Sequence, residues 1–182
     1  NQQIQEASAN TEVQYQNINI NDKMPSKQPL LIPSGAGSLN TSRNALYSND
    51  FETSADDWTL GDWSHSSFSG YIYKSYGYDY DVHSALTPSI DLSGVASDHT
   101  VALTFSDNGA YCSYYGANEV SVSTDGATFT SLGDVGCNSS WTDKSVDLTA
   151  YIGSTIVLSF DYSGYDGHNW YVDNVAVSSA AP

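Results

Sequence analysis

The sequence has little that would build a helix and almost nothing basic. Met occurs once, and Lys plus Arg together five times, in 182 residues. Strong helix formers are scarce, and no window of helical length carries a 3.6-residue apolar stripe. Against the five basic residues stand 21 acidic ones, a formal net charge of −16. So acidic a surface repels phosphate backbones and sets nucleic acid aside as a partner, while it favours divalent cations. Read plainly, it keeps a secreted protein in solution. No apolar run approaches the roughly 18 residues of a membrane span.

The motifs of common catalysts are missing too. The sequence contains no HExxH, no GxSxG, no GxxxxGK[ST] and no DxDxDG calcium loop. His65, His83, His99 and His168 lie singly in polar, turn-like contexts. A pair of carboxylates suited to glycoside hydrolysis has many combinations to choose from. Only Glu52 and Asp173, however, are singled out by an apolar setting. The expectation is a non-enzyme. Cys112 and Cys137 are the two cysteines; they can form one disulfide but not a zinc site, since no histidines stand at suitable spacing. Closing that loop of about 25 residues would stabilise by roughly 3 kcal/mol, and it points to an oxidising, extracellular compartment. The other reading is two unpaired buried thiols. With neither an initiator Met nor a signal peptide, the sequence reads as a processed mature chain or an excised domain.

What is abundant is aromatic and β-branched. Fourteen Tyr and four Trp lie in short runs broken by Gly, Ser, Asn and Asp, the composition of an all-β sandwich or barrel. The stretch Thr155 to Val177 anchors the pattern. Ile156, Leu158 and Phe160 alternate with Val157, Ser159 and Asp161, which predicts a strand over Ile156–Tyr162 with one buried face. Trp170–Val177 predicts the next. Upstream, Val101, Leu103 and Phe105 alternate, and Glu119–Ser123 runs into the hairpin signal Asp125-Gly126, from which Phe129–Leu132 returns. Eight or nine strands at this spacing predict a jelly-roll β-sandwich.

Asp173 breaks the apolar run between Val172 and Val175. A buried charge costs several kcal/mol unless neutralised, and a metal ion would neutralise it. The partner expected is Glu52, after Asp50 and Phe51 at the start of the compact domain. The alternative is a hydrogen-bonded buried pair. Asp50, Asp79 and Asp81 are further candidate oxygen ligands for such an ion.

Residues 1–45 differ from the rest. Glu6, Glu12 and Asp22 balance Lys23, Lys27 and Arg43, so all the excess charge lies downstream, where 18 acidic residues face Lys74 and Lys144 alone. Composition reads the segment as a linker. Thr11–Ile20 nevertheless has strand character, with Val13 and Tyr15 in one phase and Ile18 and Ile20 in the other. Pro25, Pro29 and Pro33 would stiffen the chain behind it. The expected division is an extended arm over 1–45, a jelly roll over 46–178 and a tail over 179–182.

One aromatic group exceeds what a sheet face needs: Tyr71, Tyr73, Tyr76, Tyr78 and Tyr80, with Tyr111, Tyr114 and Tyr115. Tyr combines an apolar face with a polar tip and suits sugar stacking or protein contacts as well as packing. Tyr76, Tyr78, Tyr114 and Tyr115 are the candidate ligand-binding residues.

Several motifs then occur in order: Phe51-Glu52 with Trp58 soon after, Thr87 to Ser93, Ser123-Thr124-Asp125-Gly126, Val146 to Thr149 before Tyr151-Ile152-Gly153, and Trp170 to Val175. This set resembles the MAM-like jelly rolls of secreted bacterial proteins, the cleaved-adhesin and choice-of-anchor type, over about residues 48–178. The resemblance implies a structural calcium ion held by the residues matching Glu52 and Asp173. Asn174 stands where many relatives carry a second Asp. Such domains serve adhesins, surface proteins, proteases and glycan-active enzymes alike. The expectation is an extracellular structural or adhesive protein that polymerises with copies of itself through its arm. The alternative is a carbohydrate-binding accessory module of a larger hydrolase or protease. A third reading, a small hydrolase with an unrecognised site, has the least in its favour.

Overall fold

The computed structural model describes residues 43–110 and 116–182. Among them the chain forms eleven β-strands and a single 3₁₀ turn, Thr149–Tyr151. The expected jelly-roll type sandwich of two antiparallel sheets is the fold. The first sheet runs β2 (Ser64–Ser66), β3 (Tyr71–Lys74), β11 (Trp170–Ala180), β6 (Thr100–Gly109), β9 (Asn138–Asp147), and β1 (Arg43–Asn49) also pairs with β11. The second runs β4 (Tyr78–Leu86), β10 (Thr155–Tyr165), β7 (Gly116–Ser123), β8 (Thr130–Asp134), with β5 (Ile90–Asp91) against β10. The strand count exceeds eight or nine partly because β2 and β5 are three and two residues long. Segments that short leave no period in a sequence.

The core lies between the sheets and follows from the two-residue alternation. Ile156, Leu158, Phe160 and Tyr162 of β10 are buried, facing Val101, Leu103 and Phe105 of β6. The Phe160 ring stands 5.1 Å from Phe105, 5.6 Å from Trp58 and 6.0 Å from Trp170, centroid to centroid. Each such aromatic contact adds about 0.5–1.5 kcal/mol beyond area burial.

In β11 the inward residues change phase, from Trp170 and Val172 to Val175 and Val177, all in the core. A regular strand cannot do this, because side chains alternate strictly. The chain resolves it with a bulge. Asp173 opposes Ser106 and Ala176 opposes Thr104, so β11 carries one extra residue, and Asn174 takes a left-handed φ of 54°. Asn tolerates that conformation better than other residues with a Cβ. Asp173 therefore stands on the face of β11 opposite Val172, at the bulge. It does not interrupt the apolar face as the sequence suggested.

β1 and β3 occupy one flank of β11, end to end. Val172 pairs with Ile72 of β3, and Val175 pairs with Asn49 of β1. The bulge at Asp173–Asn174 faces the gap between them. β1 itself starts at Arg43, three residues before the expected domain boundary, with Arg43 to Ala45 opposite Ala180 to Ser178.

Candidate functional site

The gap between β1 and β3 is where the metal was expected. The chain leaves β1 at Asn49 and turns through Asp50, Phe51 and Glu52. Asn49 Oδ1 accepts the Phe51 N–H at 2.7 Å, and Asp50 Oδ1 accepts the Glu52 N–H at 3.2 Å. Phe51 is buried at φ 54°, and its carbonyl accepts a 2.8 Å bond from His65 Nε2. Gly70, at φ 60°, makes room for Glu52: a Cβ there would come within 2.8–2.9 Å of the Glu52 carboxyl group. Asp173 is 1% exposed, and its Oδ1 accepts the Asn174 N–H at 2.6 Å. Register and turn thus direct Asp50 and Glu52 towards the bulge that carries Asp173. A shallow depression of about 750 Å³ beside it is lined by Asp50, Asp56, Asp57 and Asn174 among others.

The other two expected ligands belong elsewhere. Asp79 and Asp81 lie on β4, in the second sheet. His83 stands between Asp62 and Asp79, one carboxylate oxygen at each ring nitrogen, at 2.8 and 2.9 Å. The bond with His83 holds the Asp79 carboxyl below the usual range. The five acids therefore do not form one calcium shell. Among the described residues no group of three or more His, Cys, Asp or Glu side chains is gathered closely enough to hold a metal. Of the five, Glu52 and Asp173 remain the pair the sequence singled out, with Asp173 buried at the bulge and Glu52 against Gly70.

The tyrosine group divides. Tyr71 is fully buried and Tyr73 half-buried on β3, where both pack edge-on or stacked with Tyr171 at 5.2 and 5.9 Å. These are packing residues of the first sheet. Tyr76, two residues before β4, and Tyr78 and Tyr80 at its start are 42%, 66% and 79% exposed. Tyr165, at the end of β10, joins them at 41% and was not anticipated. The four rings touch in series, with 6.0 Å from Tyr76 to Tyr78, 5.7 Å from Tyr78 to Tyr165, and a 5.2 Å stack of Tyr165 on Tyr80 at 19°. Val82, 63% exposed, continues the strip along the same face of β4. The only sequence signal for Tyr165 was its two-residue spacing from Ser163, past the predicted strand end.

Beside the strip stands Asp161. Its Oδ1 accepts from Ser84 Oγ of β4 at 2.6 Å and also from Ser159 Oγ of its own strand, while Oδ2 accepts from Ser121 Oγ of β7 at 2.7 Å. Three neighbouring strands thus converge on one half-buried carboxylate, and the charge-assisted bonds fix its orientation. Ser84 shares the β4 face of Tyr80 and Val82 by alternation, so the polar cluster and the aromatic strip are continuous. The His83 clamp and a 3.0 Å bond from Trp63 Nε1 to the His83 carbonyl anchor β4 beneath them.

A second carboxylate is buried outright. Asp107 on β6 accepts from Trp170 Nε1 and Asn138 Nδ2, each at 3.0 Å, with Lys144 Nζ 3.8 Å away. Burial pushes its carboxyl up to about 6, against the opposing pull of those three groups. It lies within the core, away from the exposed strip.

Val13, Tyr15, Ile18, Ile20, Tyr111, Cys112, Tyr114 and Tyr115 lie outside the described residues. The Cys112–Cys137 bridge therefore stays an expectation, checked by alkylation without reductant.

No family model matches the chain, and no curated protein matches it in sequence. Solved structures do. The K3 cleaved adhesin domain of Lys-gingipain from Porphyromonas gingivalis aligns at 20% identity and TM-score 0.53, over 75% of this chain and 99% of that one. The CBM22-1 xylan-binding domain of Xyn10C from Paenibacillus barcinonensis aligns at 12% identity and TM-score 0.52, covering 78% and 98%. A CBM4 module aligns at 14% and 0.51, covering 71% and 99%. The likeness is one of fold. It places the chain among jelly-roll type domains that include an adhesin module and carbohydrate-binding modules. Among the described residues no helix is long and apolar enough to cross a membrane.

Proposed function

We propose that the chain is a non-catalytic, extracellular glycan-binding module whose contact surface is the strip Tyr76–Tyr78–Tyr165–Tyr80. The observation that carries this reading is the exposure of four rings in mutual contact on well-anchored strands. Folding alone gives no reason to leave such rings in water, and contiguous exposed aromatic surface marks contact sites. The rings meet edge-to-face at 83° and 71° and stacked at 19°, so their open faces and edges suit the apolar faces of pyranose rings, and the phenol tips and Asp161 oxygens suit their hydroxyls. The fold neighbours named as carbohydrate-binding and xylan-binding modules support the same class. Membership of the MAM-like group itself rests on the motif resemblance.

The sequence favoured a self-assembling structural protein first and a carbohydrate-binding module second. The order is now reversed, because the fold neighbours include carbohydrate-binding modules and the described surface carries an exposed aromatic strip, whereas no observation supports assembly. In this reading calcium at Glu52 and Asp173 would offset the buried charge and fasten the β1–β3 junction, taking no part in sugar contact.

Affinity electrophoresis through gels containing soluble polysaccharides tests the proposal. Wild-type protein should be retarded by at least one of them, and Tyr80→Ala and Tyr78→Ala should migrate freely while keeping the wild-type melting temperature. Equal retardation of wild type and both variants would remove the strip from the account.

A further inference from the structure

Charge decides which glycans the strip can hold. The second sheet has no Lys or Arg on any of its strands, while it carries Asp79, Asp81, Asp91, Glu119, Asp134 and Asp161. Asp166 follows Tyr165 directly in the turn to β11, at φ 54°, with its N–H bonded to the Gly77 carbonyl at 2.8 Å. That bond ties Asp166 to the residue between Tyr76 and Tyr78. The negative charge of Asp166 is the main cause that raises the Tyr78 hydroxyl above its ordinary value. Lys74, the nearest cation in the sequence, is turned inward: it is 8% exposed, donates to the Ser75 carbonyl at 2.9 Å, and sits 5.8 Å over the Tyr162 ring.

Resting on the glycan-binding reading above, we infer that the strip selects amine-bearing saccharides, glucosamine oligomers in chemical class, over neutral and acidic ones. The electron-rich ring faces attract a cation, and a carboxylate at the rim adds to that attraction. Uronic or sulfated chains would meet the like charges of Asp166 at the rim and of Asp161, Glu119 and Asp134 along the same sheet face. A basic peptide would answer the same charge, but the rings make an open row, not a closed cage. Rings that follow one another in series, 5.2–6.0 Å apart, fit the successive units of a sugar chain better than separate ammonium heads on flexible stems. Asp166 is the specificity-determining residue in this account.

Isothermal titration calorimetry at mildly acidic pH, where the amino sugar is protonated, separates the outcomes. The probes are a glucosamine hexasaccharide, its fully N-acetylated form, cellohexaose, an oligogalacturonate and hexalysine. The glucosamine hexasaccharide should bind about tenfold more tightly than cellohexaose at low salt, the combined worth of an exposed cation–π contact and a surface ion pair. The advantage should shrink severalfold at high salt and in Asp166→Asn, a variant whose Asn accepts the left-handed backbone. Tyr80→Ala should weaken every saccharide. Equal binding of the glucosamine hexasaccharide and cellohexaose would overturn the charge selection and leave the glycan-binding reading standing. Tighter binding of hexalysine than of any saccharide would overturn both, as would heat from none of the probes.

Discussion

Trp170 Nε1 donates to Asp107 Oδ2 over 3.0 Å, joining an indole and a carboxylate that are both fully buried. The bond lowers the cost of burying the charge without cancelling it, so the Asp107 carboxyl ends at about 6 against an ordinary 3.8. A carboxyl raised on folding takes up its proton more readily in the native state than in the unfolded chain. Stability must then rise as pH falls through 6 towards 3.8, by about 2–3 kcal/mol from this group. Below that range the acids held low by hydrogen bonds, Asp79, Asp91 and Asp147, act in the opposite direction. Urea melts across pH should therefore show a mildly acidic optimum. Asp107→Asn should flatten the rise; a rise that persists in the variant would assign it to other groups.

Phe51 combines full burial with a left-handed backbone. The conformation costs about 1–2 kcal/mol for a residue with a Cβ, and burying the ring offsets it by roughly 1.5–3 kcal/mol. Phe51→Ala loses the ring and keeps the strain. Phe51→Gly loses the ring and relieves it. Both should destabilise by about 3 kcal/mol or more, with Gly the milder of the two by about 1 kcal/mol. Chemical denaturation of the two variants checks the order, and a less stable Gly variant would contradict it.

Calcium at the β1–β3 gap makes a separate prediction. An ion bound only by the native state at a hundredfold excess over its Kd adds about 2.7 kcal/mol. Chelation should lower the melting temperature by several degrees, and Asp173→Asn should melt low with or without chelator. A melting curve indifferent to chelator would remove the ion from the gap.

The arm has its own test. Thr11–Ile20 was expected to add a strand to the edge of a neighbouring copy, since open sheets leave edge N–H and C=O groups unpaired. Deleting Asn1 to Lys23 and sedimenting both forms with calcium present tests it, and assembly of the full chain alone would restore the self-assembling reading. Equal behaviour of the two would end the donor-strand reading.

The sequence exposed the sandwich because period-two burial in β6, β7 and β10 is a local property. It misplaced Asp173 because a bulge is recognised only when the phases before and after it are compared, and the change from Val172 to Val175 was there to be read. Asp79 and Asp81 were grouped with Glu52 as available oxygens, yet strand pairing sends them to the opposite sheet. Tyr71 and Tyr76 differ by five positions, and nothing local says that one closes the first sheet while the other starts the second. The Asp161 cluster joins Ser84, Ser121 and Ser159, residues with no distinguishing context of their own; only the β4–β10–β7 order brings them together.

Arg43 lies opposite Ala180, so the chain enters and leaves the sandwich at one pole. The tyrosine row sits by the turn from β10 to β11, at the other end of the eleven-residue β11. At about 3.4 Å per residue, that strand spans roughly 35 Å. Anything fastened at the Arg43–Ala180 pole would therefore stand at the far end of β11 from the proposed contact strip. If the strip is the contact surface, two such molecules fastened side by side at that pole would present their rows at the same height. A fibre lying across them could touch both at once, so that weak contacts on separate molecules act as one hold.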